Sequence, residues 1–371
     1  MPPGSLPGMS GSAHDPTGHS RDPQGGLVNQ DRIIWGPDPG ARDDAYGGRI
    51  TVRDVLVDAE RRLAAAGVPS PSVDSASIVA HVLQVSRGHL FLQDSLTDEQ
   101  RLQVEQLVMR RLTRVPLQYL LGTVGFRRMD LVVGPGVFIP RPETELVVEA
   151  GVRELRECRE RIAVDLCAGS GAIALSLATE VEGAVVYAVE LSEEALTWTQ
   201  RNVQAKADAI AARGSRLTVV HHDAASVADP DGPLASLVGQ VDLVLSNPPY
   251  VPNAMVPRDP EVRDHEPKQA LFGGVDGLDL IRGITRTALL LLRPGGLLVI
   301  EHADVQGVDA GVSGVPGLLA SQAVSEELAP IIGARAQEPC WTSIQDRIDL
   351  NSRPRFTMAR RSGGSAGIGT S

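Results

Sequence analysis

Ile162-Ala163-Val164-Asp165-Leu166-Cys167-Ala168-Gly169-Ser170-Gly171-Ala172 decides the fold of this chain. The apolar run Ile162–Leu166 reads as a buried strand, Cys167–Ala172 as a tight glycine loop, and Ile173–Ala178 as the opening of a helix. Strand, glycine turn and helix in that order let backbone approach a nucleotide closely. A second strand, Ala184–Val189, ends in Glu190, 19 residues beyond Gly171. An acidic side chain at that place meets the two hydroxyls of a ribose. The segment therefore predicts an α/β, Rossmann-like domain that binds an adenosine group. The loop lacks the full Gly-x-Gly-x-x-Gly pattern, so there is less reason to expect a pyrophosphate at the helix N-terminus. That disfavours NAD and leaves S-adenosyl-L-methionine as the natural candidate. Cys167, Ala168, Gly169, Ser170 and Gly171 are expected around it, with Glu190 on the ribose. A third strand, Leu217–Val220, runs into His221-His222-Asp223 and puts Asp223 at the adenine end. The histidine pair lacks further ligands nearby, and no metal site is expected.

A fourth apolar run, Val241–Leu245, is cut short by Ser246-Asn247-Pro248-Pro249-Tyr250. Two prolines cannot continue a ladder, so the chain leaves the sheet at Asn247. Ligands of open α/β sheets bind at that strand edge. Asn247 and the Pro248 carbonyl offer two acceptors, and Tyr250 offers a flat face. Asn247, Pro248, Pro249 and Tyr250 thus form a candidate clamp for a planar amide or amino group about to be alkylated. The plainer reading is a strand-ending turn.

The remainder sets bounds. The net charge of −11 argues against a protein that coats phosphates. Cys158, Cys167 and Cys340 are scattered and odd in number, with neither a disulfide framework nor zinc spacing. A reduced, cytoplasmic setting follows, and no run is long and apolar enough for a membrane span. Residues 1–48, broken by Pro and Gly, are expected to be a disordered extension. Helical periodicity starts at Thr51, which with Asp54 forms a candidate capping box, as Thr97 does with Gln100. Residues 49–116 are read as a small helical domain, 117–136 as a β-hairpin linker, and 137–361 as the Rossmann-like domain. Residues 362–371 are read as a Gly/Ser tail. Arg141 lies between prolines in Phe138–Glu145, and Thr144 is a candidate cap for the helix that follows. Leu278–Leu292 reads as a helix, Arg293-Pro294-Gly295-Gly296 as a turn, and Leu297–Glu301 and Phe356–Ala359 as strands.

Taken together, these residues resemble the HemK/PrmC family, the protein-(glutamine-N5) methyltransferases of peptide-chain release factors. The resemblance covers about residues 50–361. Its marks are Ile139–Glu145, the loop Asp165–Ala172, Ser246–Tyr250, Glu266-Pro267, Gly273–Leu278, and Asp349-Leu350 with Arg353-Pro354-Arg355. It implies a class I S-adenosylmethionine-dependent methyltransferase domain behind a helical substrate-docking domain. The implied substrate is the glutamine of a Gly-Gly-Gln loop in a release factor. It also implies that Arg141 joins the clamp in binding substrate, and that Ala224 joins Asp223 and Asn247 at the cofactor. Two departures stand out. Cys167 replaces the first glycine of the family's loop, and Ala224 lacks the bulky side chain some relatives place by the adenine. A monomer without direct nucleic-acid contact is expected.

An amide nitrogen is a poor nucleophile because its lone pair is delocalised. Acceptors at Asn247 and Pro248 favour charge developing on it, and Asn247, Pro248 and Tyr250 are the catalytic candidates. No strong general base is evident, so positioning and electrostatics carry the reaction. The competing reading is an amino methyltransferase of adenine or guanine in DNA or RNA, with Tyr250 stacking on a flipped base. Against it stand the acidic charge and the absence of a basic, aromatic-rich segment. A third reading, a non-catalytic module, conflicts with the intact clamp.

Overall fold

The computed structural model describes residues 50–363. The extension expected over 1–48, and residues 364–371 of the tail, lie outside the described residues. Helix α1 (Val52–Ala65) starts with a reciprocal cap. The Thr51 hydroxyl accepts from the Asp54 N–H at 3.2 Å, and the Asp54 carboxylate accepts from the Thr51 N–H at 2.9 Å. α2 (Pro71–Leu83) begins on proline, which needs no N–H partner there. α3 (Asp98–Leu112) repeats the cap with Thr97 and Gln100. The three bury Val55, Ile78, Val79, Val104 and Val108 in a cluster of their own. α4 (Leu117–Leu121) is a short helix at the start of the stretch read as hairpin. The antiparallel hairpin itself is β1 (Thr123–Phe126) and β2 (Met129–Val132). Asn202 pins that hairpin to the glycine loop. Its carboxamide accepts from the Val132 N–H and donates to the carbonyls of Val132 and Ser170.

Next come α5 (Thr144–Glu157), β3 (Ile162–Leu166), α6 (Ala172–Glu180), β4 (Val185–Glu190) and α7 (Glu193–Ala205). They are followed by α8 (Ala207–Ala212), β5 (Arg216–His221), β6 (Val241–Ser246), α9 (Pro260–His265), α10 (Asp279–Leu291) and β7 (Leu292–Glu301). The chain closes with α11 (Val315–Ser321), α12 (Leu328–Ile332), β8 (Trp341–Ile348) and β9 (Pro354–Arg361). The sheet runs β5-β4-β3-β6-β7-β9-β8, parallel from β5 through β7 and antiparallel at β9 and β8. β6 is buried at every position, as a central strand covered on both faces must be. One face packs on α5 and α6 through Val147, Leu175 and Leu245. The other packs on α10 through Val244, Ile281 and Ala288. Strand order reverses between β3 and β6, which opens a crevice at their carboxyl ends. No described helix is long and apolar enough to cross a membrane.

Three segments depart from the sequence reading. Arg293–Gly296 is not a separate turn but a bulge within β7. The register steps from Val241 opposite Leu292 to Leu243 opposite Leu297. The bulge delivers the Arg293 guanidinium to the buried Asp242 carboxylate at 2.6 Å, while Asp242 also accepts from the Ile162 N–H. β8 escaped notice because it is an edge strand, largely exposed and mostly polar from Thr342 to Arg347. The loop after Asn247 contains α9, which fastens the helical domain. Glu261 accepts from Arg114 Nε and Nη2, each at 2.7 Å, and pairs with Arg111 at 2.8 Å. Burial alone would raise the Glu261 pKa, but the two guanidiniums hold it down to about 2. The link therefore persists through the neutral range.

Candidate active site

Leu166 of β3 stands opposite Ser246 of β6, and the Ser246 hydroxyl donates to the Leu166 carbonyl at 2.6 Å. This register brings the two motifs, 80 residues apart, to adjacent strand ends. Both line one cavity of about 1050 Å3. That is at the top of the range for small-ligand sites, roughly 300–1,000 Å3, and leaves room for a nucleoside and a substrate side chain together.

Cys167, Ala168, Gly169 and Ser170 are on the cavity wall; Gly171 is not. Gly171 caps α6 at φ 82°, and a Cβ there would meet Thr199 at 3.1 Å. Its glycine is a demand of the turn rather than of a ligand. Cys167 holds φ 70°, a left-handed conformation that costs an L side chain about 1–2 kcal/mol. A glycine at this point of the loop would avoid that strain. Burial pushes the Cys167 thiol up, so it stays protonated. Each oxygen of Glu190 accepts one backbone N–H at 2.8 Å, from Gly169 and from Ser192. The carboxylate is thus fixed in place with one further lone pair on each oxygen, the geometry a vicinal diol requires. Asp223 and Ala224 line the wall beyond it, with the Asp223 carboxylate accepting from the Ala225 N–H. The donor set, the open glycine at Gly169 and the acidic strand end fit the adenosine half of S-adenosylmethionine.

Asn247, Pro248, Pro249 and Tyr250 form the opposite wall. The Asn247 amide donates to the Thr144 hydroxyl at 3.1 Å. Among the described residues nothing donates to Asn247 Oδ1 or to the Pro248 carbonyl, which leaves both acceptors without an internal partner. Thr144 does not cap α5, as its sequence position suggests; it is the first residue of the helix and turns its hydroxyl to the clamp. The Tyr250 hydroxyl donates to Glu301 at 3.3 Å, and burial together with that carboxylate raises its pKa. Arg141 lines the cavity too, but its guanidinium is engaged by the buried Glu266 and stacks 4.6 Å from the Phe138 ring.

The sequence reading missed the support behind this wall. Gln306 donates to the Tyr250 carbonyl at 3.0 Å and to the Asp276 carbonyl at 3.1 Å. Gly277 sits at φ 79°, and a Cβ there would lie 2.2 Å from the Tyr250 carbonyl oxygen. The Gly273–Leu278 turn is therefore a backbone buttress, which explains its glycines. Gly277→Ala is expected to lower thermal stability by about 1–3 kcal/mol and to reduce any activity of the clamp with it. Thermal unfolding checks this, and an unchanged midpoint would refute the buttress. Glu301 and Arg355, also on the wall, were not among the candidate site residues. The signal for Glu301 was present, since an acidic residue ends the apolar run Leu297–Ile300 just as Glu190 ends β4.

Comparison with known proteins bears on most of the chain. Residues 54–122 match the family described as PrmC N-terminal domain, and residues 130–258 match the Methyltransferase small domain. The release factor glutamine methyltransferase of Streptomyces coelicolor is 46% identical over 82% of this chain and 96% of its own length. That of Mycolicibacterium smegmatis is 41% identical over 84% of this chain and 98% of its own length. That of Bifidobacterium longum is 43% identical over 69% of this chain and 88% of its own length.

Proposed function

The chain belongs to the release factor glutamine methyltransferases, and from that premise we propose how its own residues perform the transfer. It is an S-adenosylmethionine-dependent methyltransferase acting on release factors. We take the acceptor to be the side-chain nitrogen of the glutamine in the Gly-Gly-Gln loop. The observation that carries this reading is the pair of free acceptors, Asn247 Oδ1 and the Pro248 carbonyl, beside a tyrosine ring on the cavity wall.

When bound, S-adenosylmethionine supplies an electrophilic methyl group on a sulfonium. Glu190 takes the ribose hydroxyls, while Ala168 to Ser170 bring backbone close to the amino-acid end. Asp223 and Ala224 border the adenine. Asn247 Oδ1 and the Pro248 carbonyl each accept one N–H of the substrate carboxamide, which fixes its plane and aims the nitrogen's face at the methyl. Their partial negative charge favours positive charge developing on that nitrogen. Pro249 and Tyr250 pack on the flat amide and exclude water. The engagement of Arg141 by Glu266 and Phe138 supports a role in shaping the entrance rather than an ion pair with substrate. The helical segment within residues 50–116, fastened to the cavity loop through Glu261, suits docking of a protein substrate. All three cysteines are free, in keeping with a reduced, cytoplasmic setting, and we take the chain to act as a monomer.

Mass spectrometry tests the reading directly. A release factor incubated with enzyme and S-adenosylmethionine is expected to gain one methyl group on the Gly-Gly-Gln glutamine. Methyl transfer to DNA or RNA with an unmodified release factor would overturn it.

A further inference from the structure

Among the described residues, Glu301 is a buried carboxylate on the cavity wall that the mechanism above leaves idle. It ends β7, where the register sets Ile300 opposite Ser246, so it stands beside Asn247 at the same sheet edge. The residue is 1% exposed. Oε1 accepts from the Tyr250 hydroxyl, and Oε2 has no hydrogen-bond partner among the described residues. A buried carboxylate with an unmatched oxygen is costly, and it persists where it does something for its neighbours.

Those neighbours are the two ends of the clamp. Thr144 faces Glu301 from the start of α5, and its hydroxyl pulls the Glu301 pKa down. The same hydroxyl oxygen already accepts from Asn247 Nδ2. A hydroxyl has one proton and two lone pairs, so a Thr144 that accepts from Asn247 must send its proton elsewhere. A carboxylate is acceptor-only, and Glu301, with Oε2 unmatched, is the neighbouring group suited to take it. Were Glu301 a neutral acid, it could donate to Thr144. Thr144 could then donate to Asn247 Oδ1, and the Asn247 carboxamide would flip. Its NH2 would then meet the substrate's N–H, donor against donor. We propose that the Glu301 carboxylate is a positioning residue that acts through Thr144 to hold Asn247 with its oxygen toward the substrate nitrogen, while anchoring Tyr250. This rests on the clamp reading above and extends it to regulation by pH.

The groups facing Glu301 are Tyr250 from the clamp, Thr144 and Glu143 from the start of α5, and Arg355 from β9. Arg355 is itself held by Asp349 at 3.1 Å. The neighbouring His302 bonds away from the site, to Thr357 and the Ala303 carbonyl. Burial pushes Glu301 up to about 7, against Thr144, Arg355 and Tyr250, with Glu143 adding to the rise. Activity and stability then have opposite signs. The clamp needs the ionised form, so kcat falls as pH drops through about 7. A carboxyl whose pKa is raised by folding stabilises most below its ordinary value of 4.5, and that contribution is lost as pH rises through about 7.

The test is steady-state kinetics of the full chain from pH 5.5 to 8.5 with release factor and S-adenosylmethionine, alongside thermal unfolding over the same range. The wild type is expected to show an acid limb in kcat near neutrality and a midpoint that declines with pH. Glu301→Gln is expected to lower kcat about tenfold or more and to remove the acid limb, with KM for the cofactor within about twofold. Thr144→Val is expected to lose a similar factor and Thr144→Ser to retain activity. Combining Glu301→Gln with Thr144→Val is expected to be no worse than either single change. A wild-type enzyme whose kcat is flat across this range overturns the proposal. So does a Glu301→Gln variant with wild-type kcat and an intact acid limb, or a loss that appears only in KM. If Glu301→Gln fails to fold, the wild-type profile and the two Thr144 variants decide. Failure of the clamp reading looks different: Asn247→Ala would then lose cofactor binding as much as methyl transfer, or lose neither, whatever the pH profile of Glu301→Gln.

Discussion

Asn247→Ala is expected to lower kcat for release factor methylation by about 10³-fold while leaving the cofactor dissociation constant within about threefold. The carboxamide nucleophile has little intrinsic reactivity, so orientation and electrostatic support carry most of the rate. Removing one preorganised group of this kind typically costs about 10²–10³, and the freed substrate amide also loses its alignment with the methyl. Asn247 makes one internal hydrogen bond, to Thr144, and none to the glycine loop among the described residues. Its loss therefore spares the cofactor half of the cavity. Rapid-quench methyl transfer and calorimetry with S-adenosylmethionine read the two quantities separately. Equal losses in both would move Asn247 to the cofactor and undo the clamp.

The second large effect belongs to Glu190. Glu190→Ala is expected to weaken S-adenosylmethionine binding about 10- to 150-fold, the value of roughly 1.5–3 kcal/mol for hydrogen bonds to a charged group. The residue also holds the loop, since its oxygens accept from the N–H groups of Gly169 and Ser192. Glu190→Gln should be no better than alanine. One end of its amide carries hydrogens and would point a donor at one of those N–H groups. Calorimetric titration of both variants checks this. A glutamine variant that binds cofactor like wild type would remove Glu190 from the ribose.

The sites that were legible in the sequence share a property. Gly169 and Glu190 announce themselves by what the chain must do locally, a left-handed turn at φ 57° and an acid ending an apolar strand. Asn247 to Tyr250 do so because two prolines end a strand wherever they occur. The capping boxes at Thr51 and Thr97 are local in the same sense, with donor and acceptor three residues apart. Gly171 shows the limit of such signals. Its motif position suggested a ligand, and packing against Thr199 was the reason for the glycine.

The supports of the clamp had no such signature. Thr144 meets Asn247 across 103 residues, Glu301 meets Tyr250 across 51, and Gln306 meets the Tyr250 carbonyl across 56. Before a helix, Thr144 reads as a cap, because capping is the commonest use of a threonine there. Only the placement of α5 against the end of β6 turned its hydroxyl to Asn247 instead. The sequence by itself determined the strand–loop–helix order, an acid at the end of β4 and a chain that leaves the sheet at Asn247, since each follows from backbone constraints within a few residues. Tertiary structure alone decided that the Asn247 carboxamide meets the Thr144 hydroxyl and that Glu301 meets Tyr250. Those depend on the register of β3, β6 and β7 and on hydroxyl protons shared between distant segments, and no local pattern encodes either.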